Sequence, residues 1–376
     1  MNVRWVGLAA SGNLAQLPIA MRPLLITLLG AQQTGAFAVA GLAGGAAAVG
    51  MAVTSPGWSR ALFRFGEGRV LAVSGLLFAG AQVALVTCHG PPAFVSVAAV
   101  SGLCTPPVAG CVRGALPQLT SEEGLTRAYA VNSVLLEIIY VVGPLWVAGW
   151  MALAGAAVAL FASTLAGVVG LVVTVALVPA GREPAARVRG GSWSVAAVCT
   201  LGGTYLAYWI CMGAMWVLVP AFAAHAGRPG QSGLLVAVWS AGSLIGGLAL
   251  ARRPPRRSHR DSYLALLAVL AVTSLALVLP RTVALMAPAL VLFGLALAPW
   301  LAVGDRLTSM VGRHRSAELY GWLTTVGQIG NAIGSVLAGP VADRDGGGPA
   351  FLLVSAALGL GLAAALSRRH TLPDNG

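Results

Sequence analysis

Hydrophobic residues run along this chain in long blocks, separated by brief polar or Gly/Pro-containing stretches. A helix that crosses a bilayer needs about 20 mostly apolar residues. Blocks of that length predict twelve spans, at 5–29, 34–57, 69–88, 93–116, 128–150, 153–179, 194–221, 232–251, 262–280, 284–304, 319–341 and 350–367. The fifth and sixth blocks almost touch. Joined, they would exceed the thickness of a bilayer, so the pattern places a break at 150–153. The first block carries Arg22 and Pro23 and is expected to be broken there. It runs well past the length of a cleavable signal, so none is expected.

Composition supports the same class. Of 376 residues, 57% are hydrophobic and 9% charged, and the mean hydropathy is +0.84. An average soluble domain is about 25% charged. A cytosolic enzyme, a secreted disulfide scaffold and a disordered chain are all excluded. All 23 basic residues are Arg, and the formal net charge is +12. On a soluble protein that balance would suggest nucleic acid. Here no nucleic-acid partner is expected, because the Arg residues follow the loops. With the N-terminus inside, 19 fall in inner segments, and Arg228, Arg281 and Arg344 make 3 outside. That bias predicts cytoplasmic termini on both ends and an even number of spans. The densest inner stretches hold Arg182, Arg187 and Arg189, then Arg252, Arg253, Arg256, Arg257 and Arg260, then Arg306, Arg313 and Arg315. The Arg-only, Ala/Gly/Val-rich usage hints at a GC-rich bacterial genome, so the expected location is a bacterial inner membrane.

Several chemistries find no support. There is no GxxxxGK[ST] sequence, so no nucleotide-driven pump is encoded. Cys88, Cys104, Cys111, Cys199 and Cys211 lie in or at the ends of apolar runs and read as small packing residues. The five His residues (His89, His225, His259, His314 and His370) read as loop or tail residues. No metal, no other cofactor and no enzymatic activity are expected.

The chain also repeats. Gly12, Ile19 and Met21 recur 191 residues later as Gly203, Ile210 and Met212, and Tyr129 and Gly143 recur at the same offset as Tyr320 and Gly334. Pro107 meets Pro299 at an offset of 192, and Glu137 falls opposite Gln328. Span one is thereby carried onto span seven and span five onto span eleven. Six spans per repeat is an even number, so the halves share one orientation. That is the parallel repeat of a two-bundle transporter, whose substrate site lies near the midplane between the bundles. The expected domains are an N-terminal six-helix bundle at 1–180, a cytoplasmic linker at 181–193 and a C-terminal six-helix bundle at 194–376.

The run Arg113-Gly-Ala-Leu-Pro117, then Ala128-Tyr129-Ala130-Val131-Asn132-Ser133 through Glu137 to Gly143-Pro144-Leu145, resembles the major facilitator superfamily, in particular its bacterial drug-efflux-like members. Tyr320-Gly321-Trp322 through Gly339 and Asp343 is similar to the equivalent part of the second half. The resemblance covers nearly the whole chain and implies the major facilitator fold: an all-α membrane protein with twelve transmembrane helices in two pseudo-symmetric six-helix bundles. The family's loop between helices two and three is matched by Gly57, Arg64, Gly66 and Arg69. Phe63 stands where the family has an Asp, and Gly68 replaces a basic residue, so gating there shifts to other partners such as Glu67. The glycine ladder of helix five is partial, with Gly143-Pro144 and Gly149.

Individual residues sharpen the expectation. Glu137 is the one acid placed near mid-membrane, where a charge costs on the order of 2.5–3.5 kcal/mol on insertion scales. It reads either as a proton-coupling carboxyl or as a structural acid bonded to helix one or paired with Arg22. Arg22 itself either binds an anionic group, pairs with Glu137, or extends its stem to the outer surface. Asn13 and Gln16 share a face of span one and read as interhelical bonds or as cavity lining. Tyr205, Tyr208, Trp209, Met212 and Trp216 form a helical stripe on span seven, either an aromatic wall for a hydrophobic or cationic compound or ordinary packing. Pro106, Pro107 and Pro299 interrupt spans four and ten, which marks Thr105 and Trp300 as cavity candidates. Arg64, Arg69, Arg113, Asp305 and Arg306 lie at inner helix ends and are candidate gating residues. The pairs Gly41/Gly45, Gly242/Gly246 and Gly330/Gly334 are expected to mark helices that slide past one another.

Together these features predict a secondary transporter acting by alternating access. The leading expectation is proton-coupled efflux of a small hydrophobic or amphipathic organic compound. A nutrient importer or uniporter of the same fold, or a non-transporting membrane sensor, is the alternative. The expected partners are the small-molecule substrate, protons and membrane lipids, and the expected state is a monomer.

Overall fold

A computed structural model describes residues 3–179, 193–252, 258–312 and 316–374. Arg182, Arg187, Arg189, Arg253, Arg256, Arg257, Arg313, His314 and Arg315 lie outside the described residues, as does nearly all of the segment expected as a linker. The chain forms two compact units, Met1–Ala185 and Ala186–Gly376. The first contains α1 (Val3–Thr34), α2 (Phe37–Phe65), α3 (Glu67–Thr87), α4 (Pro91–Leu103), α5 (Val108–Leu119) and α6 (Glu122–Leu177). The second contains α7 (Val195–His225), α8 (Ser232–Arg252), α9 (His259–Leu275), α10 (Val283–Gly294), α11 (Leu297–Gly312), α12 (Ser316–Asp345) and α13 (Leu352–Ser367).

The long α6 is two crossings. Its Asn132 bonds Asn13 of α1, and Gly143 meets Leu17 and Met21 further along α1. Beyond Gly155 the direction is reversed: Gly167 meets Pro18, Gly170 meets Ala15 and Ser11, and the Thr174 hydroxyl donates to Ser11 Oγ at 3.0 Å. The reversal sits at Gly155, with φ 85° and ψ 179°, a conformation open to glycine and costly for any residue with a Cβ. The expected break at 150–153 therefore lies slightly later. The first span differs more: α1 is continuous through Pro18 and Pro23. In a densely packed helix neighbours compensate for the missing N–H, and Pro18 is seated against Gly167.

Span four is split into α4 and α5 across Cys104–Pro107, and span ten into α10 and α11 at Leu295–Ala296. Pro106 and Pro107 cannot donate to the helix ladder, which explains the first break. Pro299 lies in the first turn of α11, where a missing N–H costs nothing. Nine stretches among the described residues are long and apolar enough to cross a membrane. One, Arg127–Leu177, crosses twice because of Gly155, and the short α9 and the more polar α12 fill the remaining places. The chain is thus an all-α membrane protein with twelve transmembrane helices in two six-helix bundles.

The repeat is visible in packing. A Cβ on Gly50 would strike Ala99 O, and one on Gly102 would strike Ala47 O; in the second unit Gly242 faces Val291 O and Gly294 faces Trp239 O. Each of these residues lies 192 positions after its counterpart. Glycine lets the α2–α4 and α8–α10 backbones touch, the close approach that substitutes for hydrophobic drive in lipid. Likewise Tyr129 donates to the carbonyl of Arg113 at 3.4 Å, and Tyr320 to the carbonyl of Asp305 at 2.7 Å. Gly246 packs on the α10–α11 break at Leu295, and Gly330 and Gly334 on Leu206 and Ile210 of α7.

Two smaller expectations are corrected. His225 ends α7 and His259 begins α9, so neither is a loop residue. Cys199 is exposed and not a packing residue, while Cys111 and Cys211 are buried; none of the five forms a disulfide.

Candidate functional site

Each unit gathers its unusual side chains at or near the break in its fourth span. In the first unit, α1 runs through the middle of the bundle, in contact with α2, α5 and both halves of α6. Arg22 is therefore surrounded by protein and only 5% exposed. Its Nη1 donates to Thr105 Oγ1 at 2.6 Å and to Ser101 O at 3.4 Å, and its Nη2 approaches Met51 Sδ at 3.5 Å. The partners lie on α2 and around the end of α4. Arg22 neither extends to the outer surface nor pairs with Glu137. Thr105 is buried and also bonds Gly102 O at 2.8 Å.

On the other face of α1, Asn13 Nδ2 donates to Asn132 Oδ1 at 3.0 Å and to Ala9 O at 2.8 Å. Gln16 Nε2 reaches Asn13 Oδ1 at 3.5 Å, extending the amide string to a partly accessible position. Buried amides in a membrane need such partners. Glu137 lies on α6 about 22 Å from Glu122 and about 27 Å from the Gly155 reversal at helical rise. Its side chain is exposed on the unit and makes no hydrogen bond or ion pair among the described residues.

In the second unit, Trp300 opens α11 and is fully buried. Its indole lies between Tyr208, at 4.8 Å and 27°, and Tyr263, at 5.0 Å and 24°. Tyr205 closes a third side at 5.8 Å. The Tyr263 hydroxyl and Thr204 Oγ1 are 2.6 Å apart, and the Tyr205 hydroxyl donates to Asp305 Oδ1 at 3.2 Å. Gly304 leaves room for the rings, since a Cβ there would come within 3.1 Å of Tyr263. The Trp300 Nε1 is buried with no hydrogen-bond partner among the described residues.

The span-seven stripe is thus divided. Tyr205 and Tyr208 join Trp300. Trp209 packs on Gly327 and Gly330 of α12 and meets Tyr208 edge-on at 5.6 Å. Met212 is buried, and Trp216 meets Trp239 at 5.6 Å. Tyr263 and Asn132 complete these clusters but were not singled out by sequence. Asn132 stood within the family-like run; no periodicity ties Tyr263 to a residue on another helix.

Of the candidate gating residues, Arg64 and Arg69 flank the α2–α3 junction, but Arg113 lies midway along α5 and Asp305 and Arg306 midway along α11, because both helices run on past the expected ends of spans four and ten. Arg64 is exposed, its guanidinium 5.3 Å above the Phe65 ring, and Arg69, Arg113, Asp305 and Arg306 are exposed as well. Glu67 is buried in the first turn of α3, after Gly66 breaks the helix at φ 86°. Separately, an apolar cleft of about 480 Å³ lies between the starts of α7 and α12, lined by Trp193, Cys199, Trp322 and Val326 among others. None of the candidates above lines it. No group of three or more His, Cys, Asp or Glu able to hold a metal ion occurs among the described residues.

The family model described as Major Facilitator Superfamily matches residues 7–334. Among solved structures, the chain is similar to a mutant of the nucleoside transporter NupG, with a TM-score of 0.76, 11% identity, and coverage of 98% of this chain and 99% of that one. It is similar to a human organic anion transporter, with a TM-score of 0.68, 17% identity, and coverage of 96% and 99%. It is similar also to a D-xylose-proton symporter, with a TM-score of 0.70, 14% identity, and coverage of 99% and 97%. At such identities the likeness shows a shared fold. No curated protein sequence matches the chain.

Proposed function

The chain belongs to the Major Facilitator Superfamily, and from that premise we propose that it exports a small hydrophobic or amphipathic organic compound by alternating access, in exchange for protons. Membership makes the chain a membrane transporter of small molecules. The finer reading rests on its own residues.

Glu137 carries the coupling. It is an acid halfway along a membrane crossing, accessible on its unit and without a partner among the described residues. An ionisable group at that depth is retained for a role, and proton relay is a common one. A carboxyl with no fixed cation is free to gain and lose a proton as its surroundings alternate between dry and wet. Compound binding in this reading falls to Asn13, Gln16, Arg22 and Thr105 in the first unit, and to Tyr205, Tyr208, Trp209, Met212, Trp216 and Trp300 in the second. The aromatic surfaces suit an apolar body, and the sparse amides suit few polar contacts, which favours export of an amphipathic compound over uptake of a sugar. Arg64, Arg69, Arg113, Asp305 and Arg306 serve the inner gate. The protein acts as a monomer in a bacterial inner membrane.

The test is proton flux in liposomes under an imposed pH gradient, against a chemically broad panel of compounds. Compound-dependent flux is expected, and its sign separates export from the symport that the same fold can run. Glu137→Gln is expected to abolish uphill transport while leaving binding measurable. Undiminished gradient-driven transport by that variant would remove Glu137 from the mechanism.

A further inference from the structure

We propose that Arg22 seats a negatively charged group of the transported compound, so that the preferred substrates are amphipathic organic anions. This rests on the reading of the chain as a transporter of small organic compounds, and it adds the sign of the charge.

Position comes first. Arg22 lies on α1 about 28 Å from the Val3 end and about 18 Å from the Thr34 end. That is the interior of a membrane crossing, too deep for a solvated head. The side chain is held inward and is 5% exposed. A long basic side chain that merely tolerated the membrane would reach for the headgroups. This one is fastened to Thr105 and Ser101 instead.

Charge balance is the second point. Its partners are a hydroxyl, a carbonyl and a thioether, all neutral, and a thioether is a weak acceptor. Arg22 forms no ion pair among the described residues. Guanidinium carries five N–H donors in a planar fork. Nη1 is occupied by Thr105 and Ser101, whereas Nε and part of Nη2 have no oxygen partner. A buried cation with no counter-charge is strongly disfavoured unless something supplies the anion. The end of α4 helps, since carbonyls at a helix C-terminus attract a cation, but a partial dipole charge does not neutralise a full one. It orients the fork and leaves the remaining donors for a bidentate acceptor such as a carboxylate or sulfonate. Gln16, Ile19, Ala20 and Pro23, at helical spacing on α1, form the partly accessible strip beside Arg22 along which an apolar body can lie.

A purely structural role predicts something different. If Arg22 only capped the broken helix, its loss would lower stability equally with and without any ligand. The experiment is therefore binding to the full-length purified protein without a gradient, by thermal shift and equilibrium dialysis. The probes are 1-naphthoate and its uncharged methyl ester. The expected result is at least tenfold tighter binding of the acid by the wild type. Arg22→Gln is expected to remove that preference while still binding the ester, and Arg22→Lys to restore part of it. Equal affinity for acid and ester, no binding of the acid, or a preference that survives Arg22→Gln would each overturn the proposal. If Arg22→Gln does not fold, the wild-type comparison and Arg22→Lys decide. Proton flux with uncharged compounds but no acid preference would sink this inference and spare the transporter reading. Arg22-dependent naphthoate binding without proton flux would keep the anion seat and overturn the proton coupling.

Discussion

Trp300 has aromatic neighbours on three sides, and two of its contacts are near-parallel stacks. Such pairs contribute about 0.5–1.5 kcal/mol each beyond their packing. Trp300→Ala would leave a large void among rings that cannot collapse, and a loss of about 3–5 kcal/mol is expected, read as a fall in Tm. Trp300→Phe keeps a ring and discards an indole N–H that bonds nothing among the described residues. It should therefore lose much less stability than the Ala variant. If compound binding in the second unit uses that N–H, Trp300→Phe will bind more weakly at nearly native Tm, whereas a packing role alone leaves binding unchanged. Sequence marked Trp300 through the adjacent Pro299, because a helix interruption is a local signal. Tyr263 is 37 residues away on another helix, and only the fold brings it to the indole. Arg22 was likewise visible as an oddity, but its direction depended on where the α4–α5 break would fall.

At the scale of elements, glycine decides where helices turn and where they touch, and the two roles separate experimentally. A Cβ on Gly155 would meet nothing within 4 Å, so space does not constrain it; its φ of 85° does. Gly149 also has open space but sits in regular helix. Gly155→Ala is expected to destabilise by about 1 kcal/mol or more through backbone strain. Gly149→Ala should be neutral, or stabilising by up to about 1 kcal/mol, from helix propensity alone. Thermal unfolding in detergent measures both, and a Gly155→Ala protein as stable as the wild type would show that the reversal needs no glycine. The hydrophobic pattern located this reversal within a few residues, since fifty apolar residues cannot all lie in one bilayer crossing. It misjudged α1, where Pro18 and Pro23 leave the helix unbroken. A proline's effect in a membrane helix depends on neighbours such as Gly167, and these are not written beside it in the sequence.

Across the whole molecule, one scaffold occurs twice and carries different chemistry each time. The glycine contacts of α2 with α4 recur in α8 with α10, yet Arg22 has Gly213 at the repeat-equivalent position and Trp300 has Val108. The first unit thereby holds the buried cation and the second the buried rings. The shared tyrosine bond shows how far the equivalence extends. Both tyrosines reach a carbonyl midway along the preceding helix, α5 or α11, but Tyr320 does so at 2.7 Å and Tyr129 at 3.4 Å. A hydrogen bond near its optimal length contributes about 0.5–1.5 kcal/mol net, and one at the limit of contact far less. Tyr320→Phe should therefore lower Tm measurably, while Tyr129→Phe should be nearly silent. The Tyr320 carbonyl partner belongs to Asp305, whose carboxylate also holds Tyr205 beside the Trp300 stack. Loosening that part of α11 should then weaken compound binding as well as stability, whereas the Tyr129 variant should alter neither. Equal effects of the two substitutions on Tm and on binding would mean that the repeat is symmetric in energy as well as in shape, and that the division of chemistry between the units does not reach these two tyrosine bonds.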